Sequence, residues 1–505
     1  MSAVATVCGR FATVRPIDYK KVPEMVLRAS RAEKGDAATD AATDSAARRC
    51  GTRRGNKPAE LALKRLERAV QLVCSVPEAC AKDPARDFTR DRKIPLHALV
   101  WTMITWAWDT IGVELEDAFG WNGRAPTVSA FCQQRAKLRD DAMPRVSSAF
   151  LAMWEQVPLM GRFVLYGVDG TDVQLCPSSD PRTRVRSNGS GAEHNEAHPT
   201  TSYDIGRRTF QDMVWQGSGE QNEVSAFCEL VDRCPPAFAP DGTRLVPLWL
   251  GDRNFYSYNS LCHLKEAGHC FIIRLRDDHV EGLLGRGAVP EGCFDVTVER
   301  VLVRTRSVAA RTRPDRPEIY RWVDSRKRFD AIGAFNGLAE YPVTLRVVRR
   351  RLPGKDKDGN PSKDRWLNLV TNLPAGEFPA RWLVRTYKKR WSHEVGFRHL
   401  KKVVGMEDPK TRVFERAGME AWGRLILYNA CSLGARGVLA RKSRGAKRKR
   451  ARDLTTAYKG MLRMIRGAEV DLDAVSGRHT HVLIGGRHYD RRPRNKSPAR
   501  RGYRH

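Results

Sequence analysis

Two apolar segments that each end in an aspartate constrain the fold of this chain most strongly. The first, FVLYGVDG at 163–170, ends in Asp169 and a glycine, and the second, LVPLWLGD at 245–252, ends in Asp252. Short continuous apolar runs bounded by turn residues are typical of β-strands. Another such run, CFIIRLR at 270–276, follows a helical stretch. Strands that alternate with helices predict a core of the α/β class.

Helical patterns precede these strands. The apolar residues of AELALKRLERAVQLV recur with a period close to 3.6, and PTVSAFCQQRAKL begins with two candidate N-caps. The uncharged run at 94–108 is shorter than the ~20 residues that cross a bilayer, so it predicts a buried helix. We therefore predict a helical domain at 58–150, which is either a DNA-binding domain or a structural bundle. The residues that carry the periodicity and the capping are Leu61, Leu63, Leu66, Val70, Leu72, Thr127 and Ser129.

The C-terminal half begins with a different composition. Residues 294–373 are rich in Val, Tyr, Arg and turn residues and include the polar loop 353–365, which predicts a β-rich insertion. A helix is expected from about 379 to 404, and a second, apolar helix from 419 to about 434.

The balance of charge indicates the kind of partner. The chain has 89 Lys and Arg residues against 58 Asp and Glu residues, a formal net charge of +31. Such a protein attracts polyanions, chiefly nucleic acid or an acidic membrane surface. Two segments, 441–452 and 487–505, contain eight Lys or Arg residues each and one aspartate between them, and so carry about half of the net charge. They are either solvated tails or arms that bind nucleic acid.

Cysteine usage and the N-terminal sequence indicate the compartment. The twelve cysteines are scattered, with no CxxC pair and no zinc-ligand spacing, which favours a reducing environment. Residues 1–15 lack the pattern of a secretory signal, and 28–57 contain too few large apolar groups to pack. We expect a soluble, cytoplasmic protein whose residues 1–57 are a linker or a disordered segment.

Candidate catalytic side chains occur on two strands and one helix. An aspartate that follows a strand is usually a turn former, so Asp169 and Asp252 are weak signals singly. The expected helix near 379–404 adds an aromatic ring, two cations and a carboxylate within about 60° of one face. A set of this kind suits a phosphodiester and a metal ion, whereas the alternative is a charged surface stripe with one i,i+4 ion pair. The helix residues are Tyr387, Arg390, Glu394 and Lys401.

The spacing Y-x2-R-x3-E-x6-K of these four residues resembles the Y-R-E-K signature of the transposases of the insertion-sequence-4 family. VDGTD at 168–172 and GDRNF at 251–255 are similar to the segments around that family's two catalytic aspartates, in the same order. Further similar stretches extend the resemblance over about residues 58–435. One departure is Asn254, where the family often has glycine, and it bears only on the local turn.

The resemblance implies an RNase H-like catalytic core that is interrupted by the β-rich insertion, with the N-terminal helical domain before it and a helical, basic region after it. Asp169, Asp252 and Glu394 would form a DDE triad that holds two Mg²⁺ or Mn²⁺ ions. Tyr387, Arg390 and Lys401 would contact phosphates of the transposon end. Trp391 is either a helper that stabilises a flipped base or a core contact. The expected division is 1–57, 58–150, 160–293 and 374–435 for the two parts of the core, 294–373 for the insertion, and 436–505 for the basic region.

By this resemblance the chain is a bacterial, nucleoid-associated transposase that cleaves the ends of an insertion sequence and joins them to target DNA. Its expected partners are double-stranded DNA, namely terminal inverted repeats and target, and a second copy of the chain. Neither a membrane nor a nucleotide cofactor is expected, and the sequence contains no GxxxxGK[ST] loop. The alternatives are a Mg²⁺-dependent nuclease without strand transfer and a non-catalytic DNA-binding remnant or repressor.

Overall fold

We describe the fold from a computed structural model of the chain. The described residues are 57–90, 93–106, 109–186, 193–285, 287–303, 320–322, 340–352, 366–407, 409–439, 450–452, 454–472, 474–475 and 480–482. The expected linker (except Lys57), the polar loop 353–365, all of 487–505 and most of 441–452 lie outside this part. Along the described residues, no helix is long and apolar enough to cross a membrane.

Along the described residues, six helices precede the first strand, three lie between strands, and four follow residue 371. They are α1 Lys57–Cys74, α2 Pro77–Cys80, α3 Leu96–Thr105, α4 Ile111–Phe119, α5 Val128–Ala136, α6 Ala142–Ala152, α7 Glu223–Asp232, α8 Tyr258–Glu266, α9 Asp277–Leu284, α10 Ala380–Tyr387, α11 Trp391–Lys402, α12 Phe414–Leu439 and α13 Leu454–Ile465.

The strands fall mainly between 163 and 371. They are β1 Phe163–Gly170, β2 Val173–Gln174, β3 Arg184–Arg186, β4 Glu193–Asp204, β5 Thr209–Gly217, β6 Ala237–Phe238, β7 Arg244–Gly251, β8 Cys270–Leu275, β9 Phe294–Val303, β10 Tyr320–Trp322, β11 Glu340–Arg351, β12 Trp366–Thr371, β13 Arg450–Arg452 and β14 Thr480–Val482. The three apolar runs of the sequence are thus β1, β7 and β8, and strands also form within 294–373 as predicted.

One large mixed sheet carries the fold. Its central order is β5, β4, β1, β7 and β8, in which β1, β7 and β8 are parallel and β4 runs antiparallel to β1. The strands of 294–373 continue the same sheet beyond β8 in the order β12, β11, β9 and β10. The mixed α/β class is therefore confirmed.

The continuous apolar character of β1 has a direct structural cause. Phe163 and Leu165 lie in the hydrophobic cluster that includes residues of α10, whereas Val164, Tyr166 and Val168 lie in the cluster on the other face, with residues of α7 and α8. Because side chains alternate across a strand, a strand that is buried on both faces must be apolar at every position. β1 is therefore an interior strand, paired with β7 on one side and β4 on the other, and its last residues lie where the parallel strands end.

The N-terminal helices share one hydrophobic core with α12 and α13. In α1 the buried positions are Ala59, Ala62, Leu66, Ala69, Val70 and Val73. Leu61, which we expected on the apolar face, is instead 42 % exposed, because alanines that allow close helix packing occupy that face. Thr127 is the N-cap of α5, where its side chain accepts a hydrogen bond from Ala130 N.

The single helix expected at about 379–404 is wrong in detail. α10 ends at Tyr387, a 3₁₀ turn spans Lys388–Arg390, and α11 begins at Trp391. A 3₁₀ turn has three residues per turn rather than 3.6, so the angles expected for one uniform helix shift across this junction. The apolar helix α12 is longer than expected, at 26 residues.

Candidate active site

The pairing of β1 with β7 brings the two aspartates together. These strands are parallel, and Gly167 is paired with Leu250. Two positions further along each strand lie Asp169 and Asp252, so both carboxylates emerge at the same edge of the sheet. Asp252 also caps the 3₁₀ turn Arg253–Phe255 by accepting a hydrogen bond from Asn254 N over 2.8 Å. The turn is therefore intact with asparagine at the position where a glycine was expected.

Glu394 reaches the same place from α11. Arg390 donates to Asp169 Oδ2 over 3.3 Å and to Glu394 Oε1 over 2.5 Å, so its guanidinium group bridges the two carboxylates. The Arg390 side chain is 15 % exposed. The pair at i,i+4 therefore exists, but it is mostly buried and includes a third partner from the sheet, unlike the surface pair that was the alternative.

The electrostatics of Asp169 show that three carboxylates act on one another. Burial raises the pKa of Asp169, the nearby Arg390 lowers it, and the charges of Asp252 and Glu394 raise it further, to about 7. Burial is the largest of these effects, and Arg390 only partly offsets the sum of burial and the two neighbouring negative charges. The structure therefore brings the three acidic residues predicted from sequence into one electrostatic cluster.

A buried histidine next to Glu394 fixes the helix on the sheet. His393 Nε2 lies 2.9 Å from Thr201 Oγ1, and Thr201 is paired with Asp169 across β1 and β4. Burial lowers the pKa of His393, so its ring is neutral. On the strand side, a Cβ at Gly167 would lie 3.2 Å from His393 Nδ1. The absence of a side chain at Gly167 thus lets the ring approach β1 and holds Glu394 near Asp169.

An aromatic cluster supports the same helix. The ring of His393 stacks on Tyr203 with 5.0 Å between centroids, and the Tyr203 hydroxyl lies 3.0 Å from that of Tyr428. A Cβ at Gly396 would lie 2.9 Å from the Tyr203 ring, so this glycine also permits close packing. These contacts join β4, α11 and α12, and they leave Glu394 little freedom to move away from the sheet.

The remaining signature residues have different surroundings. Tyr387 is 8 % exposed and lies within 6.0 Å of the Arg390 guanidinium, measured to the centre of its ring. Lys401 Nζ donates to the Asp172 carbonyl over 2.6 Å and lies 3.5 Å from Glu407. Trp391 is 62 % exposed, which excludes the core contact that was one of its two interpretations.

Sequence reasoning missed a second polar cluster beside the site. His198 Nδ1 lies 2.7 Å from Asp172 Oδ1, and its Nε2 lies 3.2 Å from Glu223 Oε1. Burial lowers the pKa of His198, but the hydrogen bonds to the two carboxylates outweigh burial and raise it to about 9. The cluster anchors the turn after Asp169. Its only sequence signal was Asp172 within VDGTD, because His198 and Glu223 are far away along the chain.

The donor chemistry of the site suits a hard divalent cation, since carboxylate oxygens are the ligands that Mg²⁺ and Mn²⁺ prefer. The structural observation that agrees with this is that Asp252 and Glu394 lie close enough to Asp169 for their charges to raise its pKa, in addition to the larger effect of burial. No group of three His, Cys, Asp or Glu side chains in the described part of the chain is arranged to hold a metal ion as it stands. Arg390 lies between two of the carboxylates, so metal binding requires it to move.

Carboxylates gathered near the ends of parallel strands, with helix cations beside them, suit metal-assisted displacement at a phosphate ester. Residues 164–430 match the family model described as transposase DDE domain. This match spans more than half of the chain, and the chain therefore belongs to the DDE transposase family.

A cryo-EM structure of the piggyBac transposase synaptic complex with hairpin DNA is similar over 81 % of this chain and 80 % of that chain, at 10 % sequence identity and a TM-score of 0.39. No curated protein matches the chain.

Proposed function

We propose that the chain is a DNA transposase of the insertion-sequence-4 type, which cleaves the ends of a mobile element and joins them to target DNA. The observation that carries this proposal is the convergence of Asp169, Asp252 and Glu394. Burial raises the pKa of Asp169, and the charges of the other two carboxylates add to this, to about 7 in spite of Arg390. Membership of the DDE transposase family supports it. Nothing in simple DNA binding requires three carboxylates, which repel the phosphate backbone unless a cation neutralises them.

An RNase H-like core is part of this proposal. It is supported by the central strand order β5, β4, β1, β7 and β8, with β4 antiparallel to β1. The proposed division into a helical domain at 58–150, a core at 160–293 and 374–435, a β-rich insertion at 294–373 and a basic region at 436–505 follows from the resemblance. In that division the insertion enters the chain between the second aspartate and the glutamate.

We assign Asp169, Asp252 and Glu394 as ligands of two Mg²⁺ or Mn²⁺ ions. When bound, such ions lower the pKa of water and stabilise the entering and leaving oxygens of a phosphodiester exchange. The protein's own contribution is to hold the three carboxylates at one edge of the sheet through the His393 and Thr201 contacts. Arg390 neutralises part of their charge in the free protein, and it is then available for a DNA phosphate once a cation takes over that role.

The other signature residues have proposed roles on DNA. We assign Arg390 and Lys401 to phosphates of the element end, with Tyr387 beside Arg390, and exposed Trp391 to a flipped base. The proposed partners are the terminal inverted repeats, target DNA and a second copy of the chain, since joining two ends requires two sites. The phosphodiester exchange itself requires no nucleotide cofactor.

The decisive variant is Glu394→Gln, which removes one carboxylate charge with little change in shape. Parent and variant are compared for Mg²⁺-dependent cleavage and joining of a duplex that carries the DNA bordering the gene. We expect the variant to lose both reactions, while the exposed Glu281→Gln on α9 serves as the matched control and keeps them.

Undiminished cleavage by Glu394→Gln would contradict the assignment of the triad. Cleavage by the parent without any joined product would instead favour the nuclease alternative. DNA binding without metal-dependent cleavage in the parent would favour the non-catalytic remnant.

A further inference from the structure

The third parallel strand of the core brings a further cation to the edge that carries the two aspartates. Asp252 follows directly after Gly251, and Gly251 is paired with Ile273 across β7 and β8. Arg274, which follows Ile273, is therefore the position of β8 that lies beside Asp252. Because β1, β7 and β8 are parallel, Asp169, Asp252 and Arg274 lie in a row across the sheet at the same edge.

The side chain of Arg274 lies on the face of the sheet against which α10 packs. Ile272 of β8 belongs to the hydrophobic cluster that contains Tyr387 of α10, whereas Ile273 and Leu275 belong to the cluster on the other face. Since side chains alternate along a strand, Arg274 shares its face with Ile272. It is exposed, although both of its neighbours in the strand are buried. The strand thus presents a guanidinium group to solvent beside α10.

The electrostatic surroundings of Tyr387 show that this cation lies within the candidate active site. Burial raises the pKa of Tyr387, the charges of Arg390 and Arg274 lower it, and the charge of Asp252 raises it. The phenol group therefore lies within electrostatic range of both arginines and of the second aspartate. Arg274 belongs to the same group of charges as the signature residues, although it comes from the sheet and not from the signature helix.

Arg274 differs from its neighbouring arginines in its partners. Arg390 is held by two carboxylates, and Arg276, two residues further along the chain, donates to Asn254 Oδ1 over 3.1 Å. Among the residues that the structure describes, none forms an ion pair or a hydrogen bond with the Arg274 side chain. Its guanidinium group has five N–H donors, and these are available to an anion that enters the site.

We propose that Arg274 is a further catalytic residue of the phosphodiester exchange, in which its guanidinium group donates hydrogen bonds to the non-bridging oxygens of the phosphate under attack. The inference rests on the proposed function, because it takes that reaction as given. Arginine suits the role, since its planar fork matches the geometry of a phosphate. Asp252 is one of the assigned metal ligands, so the reacting phosphate lies close to Asp252 and therefore close to Arg274.

The change of charge during the exchange explains what this side chain contributes. The oxygen of a water molecule or of the 3′ hydroxyl group gives up its proton and forms a bond to phosphorus. The bond from phosphorus to the leaving oxygen breaks, and that oxygen departs with the bonding electron pair and takes up a proton. Between these states the non-bridging oxygens carry additional negative charge, which a fixed cation stabilises more than it stabilises the starting diester. Removal of one such donor lowers a rate constant about 10²–10³-fold.

The test separates reaction from binding in the full chain. Arg274→Gln and the parent are compared for single-turnover, Mg²⁺-dependent cleavage of a duplex that carries the DNA bordering the gene, and for joining of the same duplex supplied already cut. Fluorescence anisotropy measures binding of the uncut duplex without metal. Arg274→Lys keeps the charge without the planar fork. The matched control is Arg244→Gln, an exposed arginine at the other end of β7, roughly 26 Å along the strand from Asp252.

We expect Arg274→Gln to cleave and to join about 100-fold more slowly than the parent, while its affinity for the uncut duplex stays within about threefold, because one phosphate contact among many is lost. Arg274→Lys is expected to recover part of the loss and to react about tenfold more slowly than the parent. Arg244→Gln should match the parent in every measurement. Thermal unfolding monitored by circular dichroism should be the same for all four proteins, since the Arg274 side chain is exposed.

Three results would overturn this role. The first is cleavage by Arg274→Gln at the rate of the parent. The second is a loss of affinity as large as the loss of rate, since the side chain would then serve binding and not the reaction. The third is an equal rate for Arg274→Lys and Arg274→Gln, which would show that the positive charge does not act on the phosphate.

The two proposals fail in different experiments. Undiminished cleavage by Glu394→Gln would remove the active-site assignment whatever the rate of Arg274→Gln. Loss of cleavage in Glu394→Gln together with an unchanged rate in Arg274→Gln would remove the role of Arg274 alone.

Discussion

The close approach of α11 to β1 at Gly167 predicts that an alanine at this position lowers both the stability and the activity of the protein. A Cβ at this position would lie 3.2 Å from His393 Nδ1 and 3.5 Å from His393 Cβ, so Gly167→Ala forces the ring to give way by a few tenths of an ångström. The ring cannot move freely, because it stacks between Tyr203 and Phe397. We expect the displacement to pass to the neighbouring Glu394.

The magnitude follows from two opposing effects. Overpacking of a close-packed core costs about 1–3 kcal/mol, whereas replacing glycine by alanine without strain stabilises a protein by about 0.4–1 kcal/mol through the unfolded chain. For Gly167→Ala we expect the first effect to win, with a net loss of about 1–2 kcal/mol in the free energy of unfolding. Gly376 is the matched control, since nothing lies within 4 Å of its added Cβ and its φ is not positive.

Urea unfolding measures the stability of both variants, and Mg²⁺-dependent cleavage measures the effect on the site. A shift of about 1 Å in a catalytic group costs up to about 100-fold in rate, so a smaller shift of Glu394 is expected to cost roughly tenfold. Gly376→Ala should keep the parent's activity and be neutral or slightly more stable. If Gly167→Ala were as stable and as active as Gly376→Ala, the argument that this glycine positions Glu394 would be refuted.

Three other contacts give predictions of their own. The raised pKa of His198 contributes stability in full below about pH 6.5, and up to about 3 kcal/mol of it is lost as pH rises towards 9, so His198→Gln should flatten the pH dependence of urea unfolding over that interval. The ion pair of Arg135 with Glu420, 2.6 Å long and almost fully buried, joins α5 to α12, and Arg135→Leu should cost about 3–5 kcal/mol by leaving one charge unpaired. Thr201→Val removes the hydroxyl that His393 contacts, and it should reduce cleavage while leaving DNA binding in the absence of metal unchanged.

Each of these has an outcome that would contradict it. A pH dependence in His198→Gln equal to that of the parent would show that the two carboxylates do not hold its proton. The double variant Arg135→Leu, Glu420→Leu should recover much of the lost stability, and a further loss would mean that packing rather than charge sets the cost. Equal cleavage by Thr201→Val and the parent would show that the hydroxyl does not position α11.

The strands of the core were predictable because a strand that is buried on both faces appears in the sequence as a continuous apolar run. β1, β7 and β8 are each continuous apolar runs, and their order along the chain is enough to place the acidic residues at strand ends. The antiparallel position of β4 was not predictable, since His198, Pro199, Thr200, Thr201 and Ser202 interrupt the apolar pattern although all five are buried or nearly so. The side chains of His198 and Thr201 contact polar groups of distant segments, and contacts of that kind have no period in the sequence.

The residues of the candidate site likewise include some that the sequence predicts and some that it does not. The three carboxylates and Arg390 were found because their spacing is regular or matches a known signature. His393, Thr201 and Gly167 were missed, because each acts through a contact between segments that are distant along the chain. His393 lies about 100° around α11 from Glu394, outside the face that carries the signature residues, so the pattern of that face does not include the residue that fixes the helix.

Arg390 is the cation that stabilises the acidic site in the absence of DNA. An isolated i,i+4 pair on a helix surface is worth about 0.2–0.5 kcal/mol, which is too little to hold a carboxylate in place. Here the same guanidinium group also contacts Asp169 on the sheet and is 15 % exposed, so water screens it much less than a surface pair. Removing it would leave three carboxylates facing one another, and the pKa of Asp169 would rise above about 7 because the one nearby charge that lowers it is Arg390. The ion pairs of Arg390 therefore stabilise the three clustered carboxylates in the free protein, before any contact with DNA.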